Sequence, residues 1–421
     1  MSRIARVIGI LILVVVGLVP RAAGPLGAQG GVRILEVAPI QVLEGFPLVL
    51  GKETVVRVAV AAEQATDATM TVTFDANEYR QEVRLSPGEQ WVDFFVEAPS
   101  SPGPMEVAAA IAGDAGEAAS VEALVVSPAR SLKLFYLPVD WMPEERGRFG
   151  YDEVIPRFVE LQTEFLEGIY PIPAGFVESE FSQTPHMLAP GEKAVLDPSG
   201  VTDSRVLALL YGTVYAAGRR QAPDADLIVA ILPPDWFRRY YGEDFLGLAY
   251  SLVPGLVLSQ IGRYSQIHLE DEHPVVTSHE IGHVFLLPDE YDNSVVPPKN
   301  GERLDVPGYW VARREAKEDS ELTPTFNFMS RAGLTDYWVR GDTYIHLLKQ
   351  LTDWDGESGL QNTEGGPPTR EIPDLSNATA EIRMATALDE QNEPVELATS
   401  FPPDSEKIWA SITVTNVPQR V

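Results

Sequence analysis

Between residues 31 and 127, apolar and polar positions alternate in short runs. Val56, Val58 and Val60 fall on one face of such a run, with Arg57 and Ala59 on the other. Met70, Val72 and Phe74 repeat the pattern, as do Val92, Phe94 and Val96. A period of two is that of a strand with one face buried. Ser86-Pro87-Gly88 and the proline-bounded stretch 99–104 supply the turns. Short alternating strands with such punctuation predict an all-β, immunoglobulin-like sandwich over 29–127. No catalytic constellation falls within it. Its expected role is a spacer, ahead of a substrate-adhesion module or a chaperone-like pro-region.

The period changes over 128–355. Residues 132–137 read as a strand. Val154, Phe158, Leu161 and Phe165 make a helical stripe that should stop at Gly168. A second helix is expected over 203–217, with Thr202 as N-cap and Val206, Leu210, Val214 and Ala217 on one face. The unbroken apolar run 227–232 predicts a buried strand. Residues 246–250 predict a strand at a cleft, against which an extended chain could pair. A polar loop is expected over 293–323, then a helix after Asp342 with Tyr344, Leu347, Leu348 and Leu351 inward. Residues 356–375 read as a linker and 376–421 as a partial β-module, because two or three strands do not close a sandwich. Strands and helices in this order predict an α+β fold for 128–355.

The chemistry concentrates in His279-Glu280-Ile281-Gly282-His283. On a helix, residues four apart share a face, so both imidazoles can converge on one ion. Glu280 is rotated about 100° from His279, which sets its carboxylate beside the ion, where a base could deprotonate an attacking water. The bland alternative is a surface helix that carries two histidines by chance. Val275, Val276, Ile281, Val284, Phe285 and Leu287 argue for burial instead. Buried His and Glu side chains need partners, and a metal supplies them. A structural zinc site leans on Cys, and the chain has none.

A third protein ligand is required. Pro288 should end the helix at Leu287, after which Asp289, Glu290 and Asp292 follow. Asp289, ten residues after His279, has the spacing of the third ligand in metzincin-type peptidases. Glu290 is the second candidate and Asp292 the third; a solvated turn or a calcium site is the alternative for this cluster. The next histidine after His283 is His346, so no third histidine lies at short spacing. Met329 sits in an apolar turn, 324–330, of the kind that forms the floor of a metzincin site, although Met is most often plain core filler. His346 reads as a core or surface residue, and His268 and His273 as loop residues.

The segment from His279 to Tyr291 resembles the IgA-peptidase family of bacterial metallopeptidases, in which a His-Glu-x-Gly-His helix is followed by Asp-Glu-Tyr. The likeness is specific over about 15 residues and looser over about 131–354. It implies a metzincin-like catalytic domain, zinc as cofactor, His279, His283 and Asp289 as ligands, and Glu280 as the catalytic residue. The sequence departs from the pattern twice. Leu286 stands where many metzincins have Gly, and Asp-Glu-Tyr arrives one residue early. Both leave Asp289 and Glu290 in competition. Tyr291 and Tyr337 are candidates to stabilise an oxyanion. Two related clans would draw the ligand from further away: Glu315 in a gluzincin arrangement, Asp336 in an aspzincin one. A different class, a non-catalytic adhesion protein with a decayed enzyme domain, is disfavoured by the intact Glu280.

Composition adds the setting. Arg3 and Arg6 precede an apolar run, 7–19, with small residues and a plausible cut after Ala28. The run is shorter than the ~20 residues of a membrane span, so 1–28 reads as an export signal, with an uncleaved anchor as the minor alternative. The chain carries a formal charge of −29; removing 1–28 deletes three arginines and no acid, giving −32. Such a surface repels nucleic acid and anionic lipid. The expectation is a secreted, monomeric zinc endopeptidase acting on protein or peptide.

Overall fold

The computed structural model describes residues 31–112, 117–195, 210–240, 246–249, 255–261, 273–291, 299–331, 336–356, 379–385 and 409–415. A β-rich N-terminal region precedes a mixed α/β region. The segment expected to direct export, Thr202, Tyr250, His268 and the expected linker beyond Gly356 fall outside the described residues. Among those described, no helix is long and apolar enough to cross a membrane.

The N-terminal region comprises β1 (Val32–Ile40), β2 (Leu48–Val49), β3 (Thr54–Ala62), β4 (Thr66–Phe74), β5 (Asn77–Leu85), β6 (Gly88–Val96), β7 (Gly103–Ile111) and β8 (Ala118–Val126). They form two sheets, β1-β3-β6 and β2-β8-β7-β4-β5. Val56, Val58 and Val60 from one sheet and Met70, Val72, Phe74 and Val107 from the other share a single core. The alternation along β3 fails in one respect. Val55, Arg57 and Ala59, on its other face, are buried as well. Tyr309 covers that face, packing with Val55 and Ile40 and donating its hydroxyl to Asp93 at 2.9 Å.

The second region begins with β9 (Leu132–Pro138), α1 (Pro143–Phe149), α2 (Tyr151–Ile169) and β10 (Val177–Phe181). Next come α3 (Pro190–Val195), a π-helical turn (Leu210–Tyr215) running into α4 (Ala216–Gln221), β11 (Leu227–Leu232) and α5 (Trp236–Tyr240). Then follow β12 (Gly247–Ala249), β13 (Leu256–Gln260) and α6 (His273–Val284). The sheet order is β10-β9-β11-β13-β12, parallel except for β12, which runs antiparallel at the edge. Strand β11 lies inside and is wholly buried, as its unbroken Leu-Ile-Val-Ala-Ile-Leu run requires. Alternate residues feed opposite layers. Val229 and Ile231 join the core under α2 and α6, while Ile228, Ala230 and Leu232 join the core under α4 and α5.

Several boundaries differ from the sequence pattern. Helix α2 passes Gly168 and stops at Ile169, because Tyr170 precedes Pro171 and is held extended. At Gly168 an added Cβ would lie 3.1 Å from the Trp310 indole nitrogen, so the glycine serves packing. The helix expected over 203–217 runs on to Gln221, and only its part from Leu210 is described. The expected polar loop contains a hairpin of β14 (Gly308–Trp310) and β15 (Glu315–Lys317). Beyond it, β16 (Thr325–Asn327) pairs in parallel with β17 (Asp336–Trp338), and α7 (Gly341–Leu351) buries Tyr344, Leu347, Leu348 and Leu351 as expected. Strands β18 (Thr379–Ala385) and β19 (Trp409–Thr415) pair with each other.

The two regions share a core. Val42, Leu43, Phe46 and Val49 leave the sandwich and pack among Phe165, Trp310, Trp338 and Tyr344. The Trp338 indole donates to the Val42 carbonyl at 3.0 Å. Gln41 pins this excursion from within, its amide serving Val49, Lys52 and Thr54.

Candidate metal centre

Helix α6 is held between β13 and α2. Ser259 and Thr277 share a hydroxyl bond of 2.7 Å, and the Tyr170 hydroxyl donates to the Ser278 carbonyl at 3.3 Å. The helix ends at Val284, three residues before the proline limit. Leu286 adopts φ 66°, the Leu286 N–H donates to the His283 carbonyl, and the Leu287 N–H donates to the Gly282 carbonyl. This pair of bonds around a left-handed residue is a Schellman stop, with Leu where Gly is usual. The turn reverses the chain and carries Asp289 back over the helix.

Three ligand atoms then meet. Asp289 Oδ1 lies 2.9 Å from His279 Nε2 and 3.4 Å from His283 Nε2. The other ring nitrogens are engaged: His279 Nδ1 with the Phe328 carbonyl at 3.1 Å, His283 Nδ1 with the Leu287 carbonyl at 2.8 Å. A carbonyl only accepts, so each Nδ1 carries its proton, and Nε2, the nitrogen that faces Asp289, is the one each ring would turn to a metal on giving up its own proton. Among the described residues this is the one group of three that could hold a metal ion. Two imidazoles, each backed by a carbonyl, and a carboxylate make a donor set that suits a transition metal better than calcium, which takes oxygen ligands.

The acids sort themselves by geometry. Glu290 points away, accepting from Asn327 Nδ2 at 2.5 Å and from the Glu302 N–H at 3.3 Å. Asp292 lies outside the described residues. Glu315 sits on a strand, not a helix, and accepts from Lys317 at 2.7 Å. Asp336 accepts from Lys317 at 3.0 Å and from the Thr325 hydroxyl at 3.2 Å. Neither joins the histidines. His346 is set apart too, with Nε2 2.5 Å from the Phe285 carbonyl behind the turn. His273 opens α6.

Glu280 is buried beside the histidines under β12. The Ala249 N–H donates to its carboxylate. Gly247 is forced: an added Cβ would lie 2.4 Å from Glu280 Oε1. Burial pushes the Glu280 carboxyl up to about 7, with the Asp289 charge adding and the histidines opposing. Burial also works against Asp289 as an anion, but hydrogen bonds from His279 and His283 outweigh it and hold this carboxyl below its ordinary range. His283 is the converse: burial lowers it, while Asp289 and Glu280 more than compensate and raise it.

The floor is Met329, fully buried. A Cβ added at Gly282 would lie 2.5 Å from its sulfur, so the glycine inside the motif admits the methionine. Tyr291 stands over the site, its ring centroid 6.0 Å from that of His279 and its hydroxyl bonded to Asp289. Burial, then the Asp289 and Glu280 charges, push this phenol up to about 12. Tyr337 is buried elsewhere and donates to the Arg331 carbonyl at 2.8 Å.

Sequence reasoning missed Gly247, Gly282, Asn327 and the Phe328 carbonyl. A lone glycine in an apolar strand, as in Leu246-Gly247-Leu248, signals close approach and could have revealed the first. The others depend on neighbours far along the chain.

Neither a family model nor a curated protein matches the chain. Among solved structures, a CARDB domain from Pyrococcus furiosus, in complex with di-metal ions, is 16% identical, covering 23% of this chain and 93% of its own at a TM-score of 0.19. The C-terminal domain of wzt is 15% identical over 23% and 74%, with a TM-score of 0.20. A Paenibacillus sp. cycloisomaltooligosaccharide glucanotransferase is 13% identical over 48% and 28%, with a TM-score of 0.19. Likenesses at this level carry no argument about the metal centre.

Proposed function

We propose that the chain is an exported zinc endopeptidase, with a metzincin-like α+β catalytic domain behind an immunoglobulin-like sandwich. One observation carries the proposal: His279, His283 and Asp289 converge while Glu280 stands buried beside them, unbound to any of the three. A purely structural site has no use for a buried carboxylate that stands beside the ligands without joining them.

Zinc held by these three residues would polarise a substrate carbonyl and make water acidic enough to attack near neutral pH. Glu280 takes the proton as the water attacks and delivers it to the leaving amine. The Ala249 N–H and the β12 backbone fix that carboxylate in place. Tyr291 supplies a neutral hydroxyl at the same spot, suited to donate to an oxyanion. Strand β12 ends the sheet, so an extended peptide can add to its edge alongside Glu280. The Phe328 carbonyl orients His279, Met329 packs against Gly282, and Asn327 holds Glu290 away from the ligands.

Zinc content and cleavage of a denatured protein test this together. Glu280→Gln is expected to keep about one zinc per chain and to lose activity by about 10²-fold or more, the range of general acid–base contributions. Asp289→Ala is expected to lose tight zinc binding, whereas Glu290→Ala keeps it. Full activity in Glu280→Gln would sink the mechanism; undiminished affinity in Asp289→Ala would remove the third ligand.

A further inference from the structure

At the stop of α6, the Schellman bonds serve the Gly282 and His283 carbonyls, and the Phe285 N–H serves that of Ile281. The Phe285 carbonyl lies past them all, where a helix leaves acceptors without intrahelical donors. His346 Nε2, on α7, lies 2.5 Å from it. A carbonyl only accepts, so His346 carries a proton on Nε2. Burial, with the Lys349 charge, lowers the His346 imidazolium below its ordinary value against the pull of that carbonyl, which favours the neutral ring with its single N–H.

The same helix reaches the far end of the turn. Asn327, wholly buried, donates one amide hydrogen to Glu290 Oε1 at 2.5 Å and the other to Thr343 Oγ1 at 2.7 Å. Thr343 and His346 are three apart on α7 and so share a face. One turn of α7 therefore holds the chain at Phe285 directly and at Glu290 through Asn327, with Asp289 between them. Leu287 lies between them too, and its carbonyl orients His283 at Nδ1. The far end is tied twice, because the Glu290 N–H also bonds to the Met329 carbonyl at 3.2 Å. The near end abuts Leu286, held at φ 66° without the freedom of glycine, and there His346 supplies the link to α7.

We infer that His346 is a positioning residue of the metal centre: it caps the helix that carries both histidine ligands and fixes the turn that delivers Asp289 to them. This rests on the metal reading, so the experiment separates the two. Zinc dissociation constants of the full chain and its variants are measured by chelator competition, beside the visible spectra of the cobalt-loaded forms and the urea midpoints of the metal-free ones. His346→Leu fills the space without a donor. It is expected to weaken zinc at least tenfold, the lower end of what partners behind the ligands contribute, and to shift the cobalt bands. His346→Gln, whose amide nitrogen can take the place of Nε2, is expected to stay within threefold of wild type. In an Asp289→Ala background the loss from His346→Leu should shrink at least threefold, because the ligand it places is gone. A residue that only supports the fold would lower the urea midpoint and leave the zinc constant and the cobalt bands unmoved. That result overturns the inference, as does an equal loss in both backgrounds. Should His346→Leu fail to fold, His346→Asn, whose amide falls short of the carbonyl, takes its place under the same criteria. NMR of the wild type labelled at its histidine nitrogens adds a check that needs no variant: a proton on Nδ1 of His346 and none on Nε2 overturns the inference. Wild type that takes up no zinc sinks the metal reading instead.

Discussion

At the residue scale, the site turns on Leu286. A side chain at φ 66° costs about 1–2 kcal/mol in the left-handed region, which glycine avoids. Leu286 is tolerated because the two Schellman bonds and the burial of Leu287 against Gly282 define the turn. Leu286→Gly is expected to leave urea stability within about 1 kcal/mol, relief of backbone strain offsetting lost packing. Leu286→Val, branched at Cβ, is expected to lose more than about 1 kcal/mol and to weaken zinc binding. Equal midpoints for the two variants would show that the turn does not strain its residue. The motif itself was legible residue by residue: the spacing of His279, Glu280 and His283 dictates one face and one base. The choice between Asp289 and Glu290 was not, because adjacent acids look alike in sequence. The turn aims one at the histidines, and Asn327, 37 positions on, captures the other.

Among elements, the decisive contact is that of α6 with the turn after β16. Gly282 and Met329 are matched, the absence of a Cβ on one making room for the sulfur of the other. Gly282→Ala should gain about 1 kcal/mol of helix propensity but lose about 1–3 kcal/mol to overpacking. With Met329→Ala in the background, the 2.5 Å contact is gone and only Phe328 at 3.2 Å and Leu287 at 3.3 Å still crowd the new Cβ, so Gly282→Ala should cost at least about 1 kcal/mol less than in wild type. A double-mutant cycle by urea unfolding of the metal-free protein measures this coupling. The same change in stability for Gly282→Ala in both backgrounds would mean the pair is not matched. Long elements with a clear period were readable in advance: β3, β4, β6, α2 and α7 follow their apolar stripes, while β11 was marked by an unbroken apolar run. The three-residue strands β14 to β17 were not, since a period cannot be recognised over three positions. They owe their form to Trp310, Tyr337 and Trp338, which tertiary packing buries.

For the whole molecule, Lys52 ties the sandwich to the helix beneath the metal centre. Its buried ammonium donates to the carbonyls of Glu167, in the last turn of α2, and Ile172. A cation suits a helix C-terminus, and α2 packs against α6. No sequence pattern exposes such a link, because its ends lie 115 and 120 positions apart. Burial lowers the Lys52 ammonium from its ordinary value to about 8, with Glu167 and Glu53 opposing. Below pH 8 both folded and unfolded chains hold the proton, and the full cost of burying the charge is felt. Between about 8 and 10.5 the unfolded chain holds a proton that the folded chain has released, so stability rises with pH. From pH 7.5 to 9.5 that contribution is about 2 kcal/mol, at about 1.4 kcal/mol per pK unit. Lys52→Met removes it. Urea unfolding of wild type and variant at several pH values in that window should show wild type gaining that amount relative to the variant as pH rises, since ionisation of tyrosines in the unfolded chain is common to both and cancels. Parallel profiles would mean that Lys52 keeps its ordinary basicity in the folded protein and that the junction is wet.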